Sequence, residues 1–392
     1  MRPEDIERAR PVIEEFTADV FGGFARRDQR AKGELYVRGL LLDGRRKSMQ
    51  PMADRLGVDH QQLQQFVTTS TWDHAQVRRR VAVRAQEFVA PDAWVVDDTA
   101  FPKDGHASPG VARMYRDARG RTANCQVGVS VHAAADRASA AVDWRLFLPR
   151  SWDDHTTDDR EHAERIRARR GRCAIPDDQR HREKWLLALD MLDEVVGDWG
   201  LPPLPVVADA GYGDAPEFRQ GLTDRGLAYV LAVTPTATAA GTPRLPESDL
   251  TTLVVAAGRS TGRFVALRRG VPEGVENPTG RTRSRFLALR VCPTSRTGER
   301  LPECWLLAEW PTGAAEPTGY WLSTLPADTA LRDLVRLAAV RWRIDHDYRE
   351  LKDDLGLDHF EGRSWLGWHR HVTLASVAQA IRTTLRHTPP RT

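Results

Sequence analysis

The chain has 392 residues, of which 41% are hydrophobic, and its formal net charge is +3 at pH 7. This composition predicts a soluble globular protein with enough apolar residues for two or three domains. The net charge is too small to indicate a nucleic-acid-binding protein by itself. Neither a charged-then-apolar leader nor an apolar run of about 18 residues is found, so we expect a cytoplasmic location.

The four cysteines lie far apart and form no C-x-x-C pair: Cys125, Cys173, Cys292 and Cys304. This spacing argues against a zinc site or a disulfide framework. Reduced, mostly buried thiols are the expectation.

Residues 1–90 are predicted to form a helical N-terminal region. Within it, residues 52–67 ("MADRLGVDHQQLQQFV") contain a helix, a turn at Gly57 and a second helix beginning near Asp59. This is the outline of a DNA-binding helix-turn-helix. A short helical hairpin inside a bundle has the same outline, so both interpretations stay open.

Residues 91–233 are predicted to form the first part of an α/β core. Strands are expected at 93–99, 125–134 and 140–149, followed by an arginine-rich connection and a helix at 183–199. A strand, a helix and a strand then follow at 204–213, 215–226 and 227–233. Three strands in a meander followed by alternating strands and helices imply a mixed sheet.

Residues 234–325 are predicted to be a β-rich insertion, and residues 326–392 a helical completion of the core. The insertion is rich in Thr, Gly and Pro, with β-type segments at 251–257, 263–269, 285–292, 303–310 and 318–324. Two helices are then expected, at 329–357 and 368–387.

Arginines cluster in two places, 158–173 and 281–285. Their forked guanidinium groups suit phosphate contacts. A GC-rich genome would produce the same bias with no functional cause.

Two aspartates, Asp97 and Asp209, each close an apolar run and are predicted at the carboxyl ends of buried strands, where ligands of such sheets collect. Each taken alone could be a turn or capping residue. With a third acid on a later helix, they could hold Mg²⁺, which prefers oxygen ligands. Two such ions about 3.5–4 Å apart support in-line phosphoryl displacement.

The segment "RWRIDHDYRELK" (341–352) supplies the candidate third acid. On a helix, Arg341, Asp345 and Lys352 fall within about 60° of one another, and an apolar stripe of Ile344, Leu351 and Leu355 lies elsewhere. A surface ion pair between Arg341 and Asp345 would give the same spacing.

Four blocks together resemble the DDE transposases of bacterial insertion sequences, in the group numbered seven hundred and one of the broader Y-R-E-K signature transposases. They are "VVDDTAFPKDG" (95–105), "VARMYRDARGRTANCQVGVSVH" (111–132), "ADAGYGDAPEFRQGL" (208–222) and "RWRIDHDYRELKDDLGLDHFEGRSWLGWHRH" (341–371). The resemblance implies a ribonuclease H-like fold with a β-rich insertion. The implied activity is metal-dependent DNA strand cleavage and strand transfer at element ends.

By this resemblance the catalytic and metal-binding residues are Asp97, Asp209 and Asp345, with two Mg²⁺ ions for which Mn²⁺ can substitute. The implied partner is double-stranded DNA, at element ends and target, bound by a homodimer in the bacterial nucleoid. No membrane partner is expected.

DNA contacts are assigned to Arg341, Lys352, Lys103 and Tyr212. Arg341 and Lys352 would bind phosphates beside the active site. For Tyr212, base stacking and simple packing stay equally open.

The sequence departs from the family pattern at two positions. Asp345 stands where the family has glutamate, and Ala338 stands where a tyrosine often precedes the arginine. Glu350 is a substitute third acid, although it lies about 140° round the helix from Asp345. The alternative function is therefore a domesticated transposase that binds DNA or regulates with impaired catalysis, and a plain nuclease would share every site residue.

Overall fold

The structure, a computed structural model, describes residues 1–115, 122–241, 247–268, 281–294 and 300–387. Residues 116–121, which belong to one of the four family-like blocks, and residue 269 of a predicted strand lie outside this description.

One mixed sheet of twelve strands runs through the described chain. In chain order the strands are β1 (Ala93–Pro102), β2 (Ala112–Tyr115), β3 (Thr122–Ala134), β4 (Ser139–Leu146), β5 (Val206–Ala208), β6 (Tyr229–Ala232), β7 (Thr238–Gly241), β8 (Glu247–Asp249), β9 (Arg263–Arg268), β10 (Arg281–Pro293), β11 (Cys304–Trp310) and β12 (Gly319–Ser323). The spatial order is β2-β3-β1-β5-β6-β12-β11-β10-β7-β8, with β4 also paired to β3 and β9 to β10.

The helices lie before, between and after the strands. They are α1 (Pro3–Val20), α2 (Arg27–Leu41), α3 (Met49–Leu56), α4 (His60–Thr68), α5 (His74–Phe88), α6 (Arg160–Arg172), α7 (Lys184–Leu192), α8 (Ala210–Gly213), α9 (Pro216–Asp224), α10 (Leu250–Ala257), α11 (Leu331–Val340), α12 (Trp342–Arg349) and α13 (Trp365–His387). The prediction of a mixed α/β protein is confirmed at this level.

The centre of the sheet combines antiparallel and parallel pairing. β3 pairs antiparallel with both β1 and β4, whereas β1, β5 and β6 are parallel neighbours. Val95 and Phe101 of β1 face the cluster that contains α12 and α13, and Trp94 and Val96 face the cluster that contains α7 and α9. Parallel strands that are covered on both faces have continuous apolar sequences, as β5 and β6 do.

The segment from β7 to β12 extends this same sheet, because β12 pairs antiparallel with β6. The strands predicted at 285–292, 303–310 and 318–324 are observed as β10, β11 and β12, with bounds that differ by a few residues.

The N-terminal region is helical as predicted, with α1 to α5 between residues 3 and 88. The predicted helix-turn-helix outline is also observed. Gly57 ends α3 in the left-handed conformation, with φ of 66°, and the Asp59 side chain caps α4 by accepting from the Gln61 amide.

The prediction of a β-strand at 251–257 is wrong, because these residues form α10. Asp249 caps the helix by accepting a hydrogen bond from the Thr252 amide at 2.9 Å. Leu250, Leu253 and Val254 are buried at helical spacing. The cap and this apolar face outweigh the strand preference of a β-branched run.

Two further elements differ from expectation. The arginine-rich connection contains a helix, α6, which the Asp159 side chain caps. The single helix expected over 329–357 breaks at Arg341 into α11 and α12, and α12 continues into a π-helical turn at Glu350–Asp354.

A buried arginine joins α5, β4 and α13. Arg78 pairs with Asp143 at 3.1 Å, and it donates to the Trp144 carbonyl at 2.7 Å and to Thr373 Oγ1 at 2.8 Å. Its side chain is almost fully buried. Removing one partner of a buried ion pair is costly because the other charge stays in an apolar site.

We expect Arg78→Ala to lower the free energy of unfolding by about 3 kcal/mol, reduced from the upper range because Arg145 also pairs with Asp143. Urea denaturation followed by circular dichroism measures this. Arg79→Ala, at an exposed position of the same helix, is the control and should change the value by less than about 0.5 kcal/mol. Equal effects of the two substitutions would contradict the assigned role.

Candidate active site

The register between β1 and β5 places two of the predicted acids side by side. The last pair of this parallel ladder is Val96 with Ala208, and the next residues along the two strands are Asp97 and Asp209. Neighbouring strands lie about 4.8 Å apart, so the two aspartates leave the ladder at the same edge.

The prediction that Asp97 ends its strand is wrong, although the neighbouring strand does end before Asp209. β1 continues to Pro102 because β3 pairs with it as far as Cys125. Asp97 therefore lies inside an antiparallel ladder, opposite Ser130. Only 6% of the surface of Asp97 is exposed.

Asp209 caps α8 by accepting from the Gly211 amide at 2.9 Å. Gly213, at the end of the same turn, packs against β6 so closely that a Cβ would lie 1.9 Å from the Ala232 carbonyl oxygen. The glycine is therefore required by this close approach, which holds the turn after β5 against the sheet.

Asp98 points to the opposite face of the sheet, as its alternation in the strand predicts. Its carboxylate pairs with Lys184 and accepts from the Tyr212 hydroxyl at 3.2 Å. Asp98 therefore lies next to the site in the chain, but its side chain is on the other face of β1.

Arg341 joins the first and third candidate acids. Its Nη1 lies 2.7 Å from Asp97 Oδ2 and 4.0 Å from Asp345 Oδ1. The arginine occupies the junction between α11 and α12, and the Asp345 side chain is 60% exposed. One guanidinium therefore bridges an acid of the sheet and an acid of the helix.

The pKa values of Asp97 and Arg341 are shifted by burial and by the charges around them. Burial raises the pKa of Asp97 to about 7, the Arg341 guanidinium opposes this, and the negative charges of Asp209 and Asp98 add to it. Burial by itself would lower the pKa of Arg341, but attraction to Asp97, Asp345 and Asp209 raises it. Asp209 thus lies within electrostatic reach of both partners of the bridge.

In the conformation described for residues 1–115, 122–241, 247–268, 281–294 and 300–387, no three His, Cys, Asp or Glu side chains converge closely enough to hold a metal ion. The donor chemistry nevertheless suits a hard cation, because Asp97, Asp209 and Asp345 offer only carboxylate oxygens. Arg341 already supplies a positive charge between two of them.

The candidate DNA contacts are engaged within the protein. Lys352 donates to the Ala100 carbonyl at 2.9 Å, and Lys103 donates to the Phe360 carbonyl at 2.7 Å. Burial lowers the pKa of Lys103. Tyr212 is 2% exposed, which favours packing over base stacking for that side chain, and Arg341 is bound to Asp97.

The substitute third acid faces elsewhere. Glu350 is buried and pairs with Arg382 at 2.9 Å and Arg386 at 2.6 Å, both on α13. Ala338, at the position where the family often has tyrosine, is buried on α11.

Five buried polar side chains near the acids were not predicted from the sequence: Ser130, His132, Ser139, Asp347 and Tyr348. These side chains form a continuous set of hydrogen bonds between α12 and the sheet. The available signal was the alternation of Ser130 and His132 within an otherwise apolar strand, which places both on one face.

Two family models match the sequence of this chain. A model described as DDE superfamily endonuclease matches residues 19–271, and one described as Transposase DDE domain matches residues 175–380. The chain belongs to the DDE superfamily of transposases. Each match covers more than half of the chain, and together they include all three candidate acids of this transposase.

No curated protein matches. One solved structure that matches is titled as a cryo-EM structure of piggyBac transposase synaptic complex with hairpin DNA. It has 10% sequence identity and a TM-score of 0.40, covering 96% of this chain and 72% of that one.

Among the described residues, no helix is both long enough and apolar enough to cross a bilayer.

The raised pKa of Asp97 predicts a pH-dependent stability. Because the unfolded carboxyl ionises near 3.8 and the folded one near 7, its ionisation lowers the free energy of unfolding as pH rises between these values. The loss is about 1.4 kcal/mol per pH unit, or ~4 kcal/mol in total.

Asp97→Asn removes this titration. Its free energy of unfolding should therefore rise relative to that of the parent from about pH 4 to about pH 7, and the difference should then be constant. Urea denaturation in metal-free buffer across this window measures the difference. A difference that stays flat, or falls with pH, would contradict the pKa assigned to Asp97.

Proposed function

We propose that this DDE transposase cleaves DNA strands and transfers them at the ends of an insertion sequence of the group numbered seven hundred and one. The observation that supports the proposal is the position of two acids on Arg341, with the third at the end of the strand beside Asp97. Asp97 and Asp209 leave a parallel ladder together, and Asp345 shares Arg341 with Asp97.

A ribonuclease H-like core is part of the proposal. It is supported by five neighbouring strands in the order β4-β3-β1-β5-β6, of which the first pairings are antiparallel and the last two are parallel. The proposed metal ligands are Asp97, Asp209 and Asp345, and the proposed domains follow the division at residues 90, 233 and 325.

Two Mg²⁺ ions bound by these carboxylates would activate a water or a 3′ hydroxyl and stabilise the leaving oxygen. Asp97 would bind in its ionised form and release its proton. Arg341 would exchange its contact with Asp97 for a phosphate of the DNA, since a guanidinium suits either oxyanion. Lys352 would keep its contact with β1 and hold α12 against the strand that carries Asp97.

The competing function is a retained DNA-binding or regulatory protein with impaired catalysis. Asp345 favours it, because this side chain is one carbon–carbon bond, roughly 1.5 Å, shorter than the glutamate that the family resemblance implies. Catalytic groups tolerate about 0.5 Å of misplacement. The absence of a closed three-acid cluster among the described residues favours it too.

DNA cleavage separates the two functions. Labelled duplexes from the two borders of the coding sequence are incubated with the protein and Mg²⁺ or Mn²⁺. We expect the parent to cleave, and Asp97→Asn and Asp209→Ala to lose more than the roughly 10–100-fold typical of outer-shell partners, because they remove direct ligands.

Asp345→Glu distinguishes the alternatives. An inactive parent with an active Asp345→Glu variant would support the retained DNA-binding protein. Equal activity of the parent and Asp209→Ala would defeat the metal-site assignment.

For the N-terminal region we propose sequence recognition by α4 in the major groove. Its apolar residues Leu63, Phe66 and Val67 are buried, so the helix is fixed to the rest of the fold. Its outer face carries glutamines, which can pair with adenine through two hydrogen bonds. The exposed ones are Gln61, Gln62, Gln64 and Gln65.

Gln62→Ala and Gln65→Ala should each weaken binding to the element end by about 5- to 100-fold, which corresponds to the loss of one bidentate base contact. Binding to a scrambled duplex should be unchanged. Fluorescence anisotropy at fixed salt measures both. Gln220→Ala on α9, also exposed, is the matched control; an equal loss on both duplexes would contradict base reading by α4.

We also propose a homodimer on DNA, as the family resemblance implies. Light scattering of the protein with and without end DNA measures its mass. One protomer per complex with two ends would contradict the dimer.

A further inference from the structure

Five buried polar side chains, named here the α12 anchor, connect α12 to β3 and β4. His132 Nδ1 lies 3.0 Å from Asp347 Oδ2, and His132 Nε2 lies 2.9 Å from Ser130 Oγ. Ser130 Oγ lies 2.7 Å from the Tyr348 hydroxyl, and Ser139 Oγ donates to Asp347 Oδ1 at 2.8 Å.

The hydrogen bonds of the anchor are satisfied in one consistent direction. Tyr348 donates to Ser130, Ser130 donates to Nε2 of His132, and Nδ1 of His132 donates to Asp347. Both carboxylate oxygens of Asp347 then have a donor. A fully satisfied buried network is rigid and specifies one arrangement, whereas a half-satisfied one is costly.

The anchor lies between two of the proposed catalytic acids. Ser130 is the register partner of Asp97 in the β1–β3 ladder. Asp347 and Tyr348 follow Asp345 by two and three residues, which places them about 200° and 300° round the helix. Both are buried, while the Asp345 side chain is 60% exposed.

A direct chemical role for the anchor is excluded by burial. Ser130 and His132 are 0% exposed, and Trp144 packs against His132 with ring centroids 6.2 Å apart. No substrate reaches them in this fold. Apolar residues of similar size would also fill such an interface. We therefore attribute to the polar residues a role in orienting α12 more than in stabilising the fold.

Arg341 and Lys352 also contact β1, but these contacts hold α12 less rigidly than the anchor does. Arg341 binds Asp97 itself, and the proposed function requires this contact to be exchanged. Lys352 reaches a backbone carbonyl through a long, flexible side chain. The hydrogen bonds of the anchor involve none of the three acids, so cation binding does not require any of them to be exchanged.

We propose that the α12 anchor is a positioning device that sets the height and rotation of α12 over the sheet, so that the short carboxylate of Asp345 reaches the edge occupied by Asp97 and Asp209. This inference rests on the proposed function. It assigns positioning roles to Tyr348, Asp347 and His132. It also gives a physical reason why aspartate is accepted where the family resemblance implies glutamate, since a helix held close to the sheet needs a shorter side chain.

The test uses the full chain and Mn²⁺ alone as the probe. Titration of the folded protein with Mn²⁺, followed by the electron paramagnetic resonance signal of the free ion, gives the concentration at half-saturation, named here the Mn²⁺ midpoint, without relying on activity. Tyr348→Phe removes one hydroxyl of the anchor. We expect it to raise this concentration about 10- to 100-fold, as loss of an outer-shell partner does.

The matched control is Glu350→Gln. It lies on the same helical segment, two residues after Tyr348, and is buried, but it pairs with α13 and not with the sheet. We expect it to lower the melting temperature of the metal-free protein without changing the Mn²⁺ midpoint. If Tyr348→Phe behaves as Glu350→Gln does, the anchor is structural only and the inference is overturned.

Ser139→Ala is the second variant, should Tyr348→Phe fail to fold. It removes one of the two donors to Asp347 and leaves the aromatic packing intact. The same 10-fold or greater rise in the Mn²⁺ midpoint supports the inference, and an unchanged midpoint overturns it.

Asp209→Asn and Asp345→Asn separate this inference from the proposed function. If both weaken the Mn²⁺ response and the anchor variants do not, the inference alone fails. If neither changes the response, the proposed metal site fails and the inference fails with it.

Discussion

The short parallel ladder between β1 and β5 is the constraint on which the site depends. Three residue pairs, ending at Val96 with Ala208, decide that Asp97 and Asp209 emerge together although more than one hundred residues separate them in the chain. A slip of one residue would turn one carboxylate to the opposite face of the sheet. The apolar residues of β1 prevent that slip, since Val95 and Val96 belong to two different clusters.

Placing Asp97 in a buried position near other acids is costly, and two features of the fold reduce this cost. Arg341 sits between Asp97 and Asp345, and burial keeps Asp97 partly protonated near neutral pH. Both features oppose the repulsion that like charges would feel without a cation. The proposed site is therefore stable without cations or DNA, and the proposed function requires the contact between Arg341 and Asp97 to be exchanged.

The helix that carries Asp345 and the π-helical turn that follows it are held by different parts of the fold. The α12 anchor fixes it to β3 and β4, and Glu350 fixes its continuation to α13 through Arg382 and Arg386. Arg341 lies at the junction between α11 and α12, where its side chain reaches Asp97. The buried charges of this part of the fold thus serve geometry, at the cost of desolvation.

The sequence by itself determined the mixed α/β class, most strands and helices, the helix-turn-helix outline and the family, because these follow from local periodicity, turn residues and four motif blocks. It did not determine α10, where a cap and an apolar face outweighed β-branched residues, or the break at Arg341. The three acids were named from the sequence, but only the tertiary structure decided which groups surround them. The bridge of Arg341, the side chains engaging Lys103 and Tyr212, and the α12 anchor all join residues far apart in the chain, and contacts of that kind leave no local periodicity to read.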